Sequence, residues 1–532
     1  MTEICLTGRA ASPGLAMGPV TVLTATVASR KATGDPAREA DALKAAIEGA
    51  ITEISELIAT VQGEVADILE FQVAMLGDDA LAEGAYDAIA VGLAADHAWR
   101  SALDAEIAGY RAAEDEYFRA RVADIVDIRD RVLAHLSGVS TVTKITGGSI
   151  VAGDDISPST FLAADWTRGG AIALAAGSPS SHVAMLARAR GAPMVVGLGA
   201  WLWNGRTPAL ALVDGDTGTV IFDPEPETRL LFEQRIAAAN TARATADAGR
   251  AEPAITADGR RIAVLLNIAA PEDLADLDPA ICDGIGLVRT EFLFEASQGL
   301  PDEDSQYAVY RRILEWAKGK PVTIRTLDAG GDKPIAGLTI DGESNPFLGL
   351  RGIRLSLARP EVFRVQLRAL SRAAVHGVLK VMLPMIADPS ELDRAGAMLD
   401  AEFAALKAEG IACARPPLGI MVEVPAAALR AEAFGAAFYS IGSNDLTQYT
   451  MAAARDIGAV ADLNDTSNPA VLALIARTVE AGAKRGVEVS LCGDAAGDTR
   501  LTTPLLATGL TTLSVAPVAV GRLKAAIAMV SS

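Results

Sequence analysis

Cysteine and histidine are scarce in this 532-residue chain, with four of each. The cysteines, Cys5, Cys282, Cys413 and Cys492, stand far apart. They show neither the paired spacing of a zinc site nor a disulfide framework, so a reducing cytoplasm is expected. Basic residues are also short, 47 Lys and Arg against 67 Asp and Glu, a net charge of −20. A nucleic-acid binder neutralises phosphates with Lys and Arg, so that class is excluded. An acidic surface suits basic protein partners instead. The first residues, MTEICLTGRAASPG, lack the basic region and apolar run of a secretory signal. The uncharged stretch from Leu501 to Gly521 is interrupted by Pro504, Gly509 and Pro517. It reads as a short helix, a turn and a buried strand, since a membrane span needs about 20 mostly apolar residues without such breaks.

What is there is globular. Half the residues are hydrophobic and 21% are charged, at a length that calls for two or three domains. Residues 1–35 and 138–222 mix Gly, Pro and β-branched residues and read as one small α/β domain. Between them, residues 36–137 contain no proline after Pro36 and repeat apolar residues at helical spacing, as in ADILEFQVAML. That is a helical insert. Residues 223–258 are polar and helix-forming and read as a connector helix. From 259 to 532 the texture is regular. Apolar runs at 262–268, 284–289, 321–328, 377–386, 418–424, 438–444, 488–494 and 511–517 alternate with helical segments. Eight such strands over roughly 250 residues are the signature of a (β/α)8 TIM barrel, whose chemistry sits at the C-terminal ends of the strands.

Those ends carry Asn267, Arg289, Arg325 with Asp328, Glu423, Asn444 with Asp445, and Cys492. Arginines there form planar charged forks that match phosphate or carboxylate, or else they close salt bridges on the rim. Glu423 and Asp445 on neighbouring strands suit Mg²⁺, which takes one or two carboxylates, or they pair with the arginines. Cys492 is either a buried small hydrophobe or an exposed thiol able to move a proton. In the first half, His182 follows the turn GSPSS and opens a helical stretch, with no charged residue within five positions. It is a histidine satisfied at a helix start, or a nucleophile that takes up a phosphoryl group where backbone N–H groups welcome anions.

Taken in order, ASPGLAMG, EDEYFRARVADIVDIRDRVL, SSHVAMLARARGAPMVVG, GIGLVRTEFLF, RTLDAGGDKP, NPFLGLRGIR, GIMVEVPAAA, FYSIGSNDLTQYTMA and LCGDAAGD span nearly the whole chain. In these motifs it resembles enzyme I of the phosphoenolpyruvate-dependent sugar phosphotransferase system. The resemblance implies that His182 accepts the phosphoryl group of phosphoenolpyruvate and passes it to a histidine of the carrier protein HPr, releasing pyruvate. It implies that Arg289, Arg325, Asn444, Asp445 and Arg455 bind substrate, that Glu423 and Asp445 hold Mg²⁺, and that Cys492 protonates the enolate carbon. HPr is then expected on the helical insert, residues 36–137, and a homodimer through the barrel. Two stretches depart from the family pattern: Ser-Ser-His-Val after Ser178 and Pro179 stands for Thr-Ser-His-Thr after Gly-Gly, and the surroundings of Arg455 differ. Val183 stands where the family has threonine, and Arg455 lies between Ala454 and Asp456 where the family has Asp-Arg-Gly. Pyruvate phosphate dikinase and phosphoenolpyruvate synthase share the histidine domain and barrel, but need an ATP-binding domain ahead of them. About 140 residues come before the part of the histidine domain that carries His182, and they show no nucleotide loop, so this rival is not expected.

Overall fold

A computed structural model describes residues 3–23, 32–58, 64–112, 122–138, 145–179, 181–199, 207–295, 299–331, 335, 337–340, 342–454, 460 and 463–531. The chain forms two compact units, Met1–Ala239 and Asn240–Ser532.

The first unit is built on one mixed sheet. Its strands are β1 (Ile4–Thr7), β2 (Arg9–Ser12), β3 (Leu15–Val22), β4 (Ile150–Gly153), β5 (Ala171–Leu174), β6 (Met194–Val196), β7 (Leu210–Asp214) and β8 (Thr219–Phe222). Their spatial order is β1-β8-β7-β3-β4-β5-β6-β2. The middle of the sheet is parallel, β3 to β4 to β5 to β6. Every residue of β4, β5 and β6 is buried, as expected where both faces of a parallel sheet are covered. Between β3 and β4 the chain leaves the sheet for helices at Pro36–Ile58, Glu64–Leu76, Asp79–Ala90, Ala95–Ala112 and Val122–Ser137. The first shows why they bundle: it buries Leu43, Ala46, Ile47, Ala50 and Ile54, a single stripe at three- and four-residue steps. These meet Leu69, Ile89, Trp99, Leu103, Ile128 and Val132 in a core of their own. The insert is tied to the sheet domain where Asp127 accepts a hydrogen bond from Ser159 Oγ at 2.7 Å and one from Gln72 Nε2 at 3.3 Å.

The helix Pro226–Ala248 leads out of the first unit. Near its start Phe232 is buried and Arg235 Nη2 donates to Asp214 Oδ2 at 2.6 Å.

The second unit is a closed barrel. Its strands are β10 (Arg261–Ile268), β11 (Gly284–Val288), β12 (Val322–Arg325), β13 (Leu379–Leu383), β14 (Leu418–Val422), β15 (Phe438–Gly442), β16 (Glu488–Cys492) and β17 (Thr512–Val515), after a short β9 (Ala254–Ile255). All eight pair in parallel, and β17 closes on β10 with Ala263 opposite Thr512. The fold is therefore the α/β barrel its alternating runs predicted. One strand was not foreseen: β9, inside the connector segment, pairs antiparallel with the start of β10. Seven of the eight strands end before their apolar stretch does, because the chain peels away at the C-terminal end to form the mouth; β10 runs to the end of its stretch.

Candidate functional site

At that mouth the strand ends deliver charge into a buried space. Arg325 closes β12 and is 5% exposed. Its Nη2 donates to Glu291 Oε2 at 3.0 Å, and Nη1 lies 2.9 Å from Asp328 Oδ2. Glu291 Oε1 also accepts from the backbone N–H of Asp328 at 3.0 Å, so one carboxylate sets both neighbours. The Nε of Arg325 is buried and has no acceptor among the described residues. Buried donors are almost always satisfied, so this one is left with a hydrogen to give.

A second guanidinium organises the other side. Arg351 donates from Nε and Nη2 to the two oxygens of Asp328, each at 3.1 Å. Its Nη1 and Nη2 also reach the two oxygens of Asp445, again at 3.1 Å. Bidentate pairs of this kind fix geometry as well as charge. Nη1 also donates to Tyr449 Oη at 3.2 Å, and Tyr449 passes its own hydrogen to the Phe347 carbonyl at 2.6 Å. Asp445 thus sits in the first turn of the helix Ser443–Met451, just beyond β15. Glu423, one residue past β14, accepts from the Met385 N–H at 2.6 Å. Met385 holds φ +57, a conformation costly for a side chain of its size, which points that N–H at the carboxylate.

Four carboxylates, Glu291, Asp328, Glu423 and Asp445, therefore share the mouth with two buried guanidiniums. Burial opposes the charge on Arg325 and Arg351, but the neighbouring acids outweigh it and both stay firmly ionised. For Glu423, burial, then Asp445 and Asp328, push the pKa up to about 8. With all four acids ionised the site would carry two excess negative charges, and the proton that Glu423 keeps at neutral pH relieves one of them. Arg289, one residue past β11, is exposed at the same rim.

Cys492 ends β16 and is 2% exposed, packed with Leu287, Met382, Met421 and Phe438 inside the barrel. It is not the exposed thiol the strand-end reading allowed. Burial pushes its pKa up to about 11, so it holds its proton. Asn444 is fixed by Asp494: its Oδ1 accepts the Asp494 N–H at 2.9 Å, and its Nδ2 donates to Asp494 Oδ2 at 3.1 Å. Asn267 is turned to a structural task, exchanging hydrogen bonds with Ser514 across the β10–β17 seam.

In the first unit His182 is the first residue of the helix His182–Arg190. Ser181 caps it, Oγ accepting from the Ala184 N–H at 3.3 Å, and Gly191 ends it in the left-handed conformation at φ +64. The approach is held by Arg188, whose Nη1 donates to the carbonyls of Ala11 at 2.7 Å and Pro179 at 2.9 Å. Val183 is 3% exposed and belongs to the core under the helix. The missing hydroxyl at that position is therefore replaced by packing.

Three family models match the chain: the N-terminal domain of phosphoenolpyruvate-utilising enzymes over residues 7–121, their mobile domain over 145–218, and their phosphoenolpyruvate-binding domain over 243–532. A phosphoenolpyruvate-protein phosphotransferase of Priestia megaterium is 36% identical over 98% of this chain and 94% of its own length. The chain belongs to this phosphotransferase family.

Another phosphoenolpyruvate-protein phosphotransferase, of Bacillus sp. (strain S), is 42% identical over 76% of this chain and 71% of its own length. Among solved structures, an NMR solution structure of an Enzyme I protein covers 44% of this chain and 99% of its own at 27% identity, with a TM-score of 0.36. As a phosphotransferase of this family, the protein is an enzyme that moves the phosphoryl group of phosphoenolpyruvate to a histidine within the phosphotransferase system.

Of the residues singled out from sequence, Arg325, Glu423, Asp445 and Cys492 come together inside the mouth, with Arg289 and Asn444 on its rim. Arg455 lies outside the described residues, and so does the His182 side chain. Two participants were missed. Glu291 stands two residues after Arg289, in a stretch with no strand-end signal. Arg351 comes from a loop, Gly349–Gly352, and its two carboxylate partners lie 23 and 94 residues away in sequence. The glycines flanking it in NPFLGLRGIR were the only cue.

Proposed function

We propose that His182 is the phosphoryl acceptor and that the barrel mouth binds phosphoenolpyruvate. The observation that carries this reading is the Nε of buried Arg325, without an acceptor among the described residues and set among fixed charges at the C-terminal end of the barrel. Phosphoenolpyruvate brings a phosphate and a carboxylate, which Arg289 and Arg455 receive as charged donors and Arg325 through its Nε. Asn444 adds an N–H from the rim. The His182 ring attacks phosphorus in line, the bridging P–O bond breaks, and its electron pair leaves on the enolate of pyruvate. Cys492, protonated below about pH 11, delivers its proton to the enolate carbon and is reprotonated from solvent.

The residues present fit Mg²⁺. Glu423 and Asp445 are hard oxygen donors, and a divalent cation would take the place of the proton that the crowded acids leave on Glu423. No group of three or more His, Cys, Asp or Glu among the described residues is arranged to hold a metal, so water and substrate oxygens would complete the shell. When bound, Mg²⁺ would neutralise phosphate charge; Arg351 keeps Asp445 oriented for that role.

The phosphohistidine then passes its group to HPr, received on the helical insert, residues 36–137. This completes a shuttle between the histidine domain (1–35 and 138–222) and the barrel (259–532) across the connector (223–258). We place the protein in the cytoplasm as a homodimer through the barrel. No helix among the described residues is long and apolar enough to cross a membrane.

The test is labelling with phosphoenolpyruvate carrying radioactive phosphate, with and without Mg²⁺, in wild type and His182→Ala. Acid-labile, alkali-stable label that requires Mg²⁺, vanishes in the variant and moves to added HPr is the expected result. A folded wild type that takes up no label would overturn the proposal and leave a regulatory, catalytically silent relative.

A further inference from the structure

We infer that Asp494 is a positioning residue for substrate binding: it locks the Asn444 amide so that one N–H faces the mouth. The inference rests on the reading of Asn444 as a substrate contact.

The orientation of Asn444 follows from its partners. A backbone N–H can only donate, so the atom 2.9 Å from the Asp494 nitrogen is the Asn444 carbonyl oxygen. A carboxylate accepts, so the atom 3.1 Å from Asp494 Oδ2 is the amide nitrogen. One residue thus reads both ends of the amide, and a flipped Asn444 would set N–H against N–H and oxygen against oxygen. The remaining neighbour does not disturb this. Ser443 Oγ lies 3.4 Å from Asn444 Oδ1, but its single hydrogen goes to the Cys492 carbonyl at 2.8 Å. What is left on Asn444 is its second Nδ2 hydrogen, a donor, which is what an anionic substrate requires. The Asp494 charge polarises the amide and makes that hydrogen a better donor.

The backbone is shaped for this pairing. Gly493 holds φ +96, and a Cβ there would fall 2.3 Å from Ser443 Oγ and 2.7 Å from Asn444 Oδ1. Glycine lets the two segments close up, directly after Cys492. Asp494 is itself exposed, and among the described residues its carboxylate accepts from Asn444 Nδ2. An exposed acid beside a triply charged anion would be a liability unless its hydrogen bond mattered.

The experiment is steady-state phosphotransfer with phosphoenolpyruvate as varied substrate, on Asp494→Ala, Asp494→Asn, Asn444→Ala and the double alanine variant, each checked for an unchanged melting temperature. Asp494→Ala is expected to raise KM about tenfold, the worth of one well-made hydrogen bond, with kcat within about twofold. Asp494→Asn keeps an acceptor and should bring KM back to within about threefold of wild type. In the Asn444→Ala background, Asp494→Ala should add nothing further. A wild-type KM for Asp494→Ala, with Asn444→Ala still impaired, would overturn the inference and leave the substrate reading standing. Additive effects of the two changes would overturn it as well. A wild-type KM for Asn444→Ala would overturn the substrate contact and the positioning role together.

Discussion

Cys492 shows how one side chain takes its chemistry from its surroundings. Its identity allowed a packing residue or a reactive thiol; burial made it both a packed residue and an acid that keeps its proton. With a folded pKa of about 11 against 9.0 unperturbed, the folded protein holds this proton more tightly than the unfolded chain. The stabilisation is fully present below pH 9 and is lost as pH rises through 11. Two units correspond to at most about 3 kcal/mol. Wild type should therefore lose urea stability between pH 8 and pH 10.5 by more than Cys492→Ala does. Under native conditions at pH 8 a thiol reagent should modify exposed Cys5 quickly and leave Cys492 and Cys282 untouched. Rapid native modification of Cys492 would contradict a buried, protonated thiol. The arginines teach a related lesson. Arg289 and Arg325 were legible because they lie in or at the end of apolar runs, whereas Arg351 acquires its role only when Asp328 and Asp445 fold around it.

At the scale of elements, the barrel strands could be read because parallel strands covered on both faces are apolar throughout. Their ends could not. The run 321–328 reads as one strand, yet the ladder stops at Arg325, and the chain turns so that the Asp328 N–H meets Glu291. The run 377–386 likewise ends early, and Met385 adopts φ +57 to serve Glu423. Polar partners at the mouth compete with strand pairing and win because each would otherwise be buried unsatisfied. Gly442 at the end of β15 belongs to the same arrangement. Its φ of −84 suits any residue, but a Cβ there would lie 2.8 Å from Glu423 Oε2. Gly442→Ala should cost about 1–3 kcal/mol by overpacking, read as a lower urea midpoint for the barrel. An unchanged midpoint would mean that Glu423 can move aside freely.

At the scale of the whole molecule, two compact units imply two unfolding events. Scanning calorimetry should resolve them, and Mg²⁺ should raise only the transition of the unit that holds Glu423 and Asp445. A ligand at about 100 times its Kd adds about 2.7 kcal/mol to the state that binds it. Glu423→Gln, which removes a carboxyl that could ionise on binding the metal, should abolish the shift and leave the other transition in place. A Mg²⁺ shift that survives in Glu423→Gln would move the metal away from these carboxylates.

The amino-acid sequence by itself determined the helical insert, the eight barrel strands and the order in which His182, the arginines and the carboxylates follow one another. Those features rest on periodicity, on proline and glycine placement, and on short motifs, all of which are local. Only the tertiary structure decided that Arg351 holds the mouth together, that Cys492 is buried, that Val183 is core and that Asp494 orients Asn444. Each of these depends on groups tens of residues apart meeting where water is excluded, and there the cost of an unpaired charge or polar atom selects the arrangement.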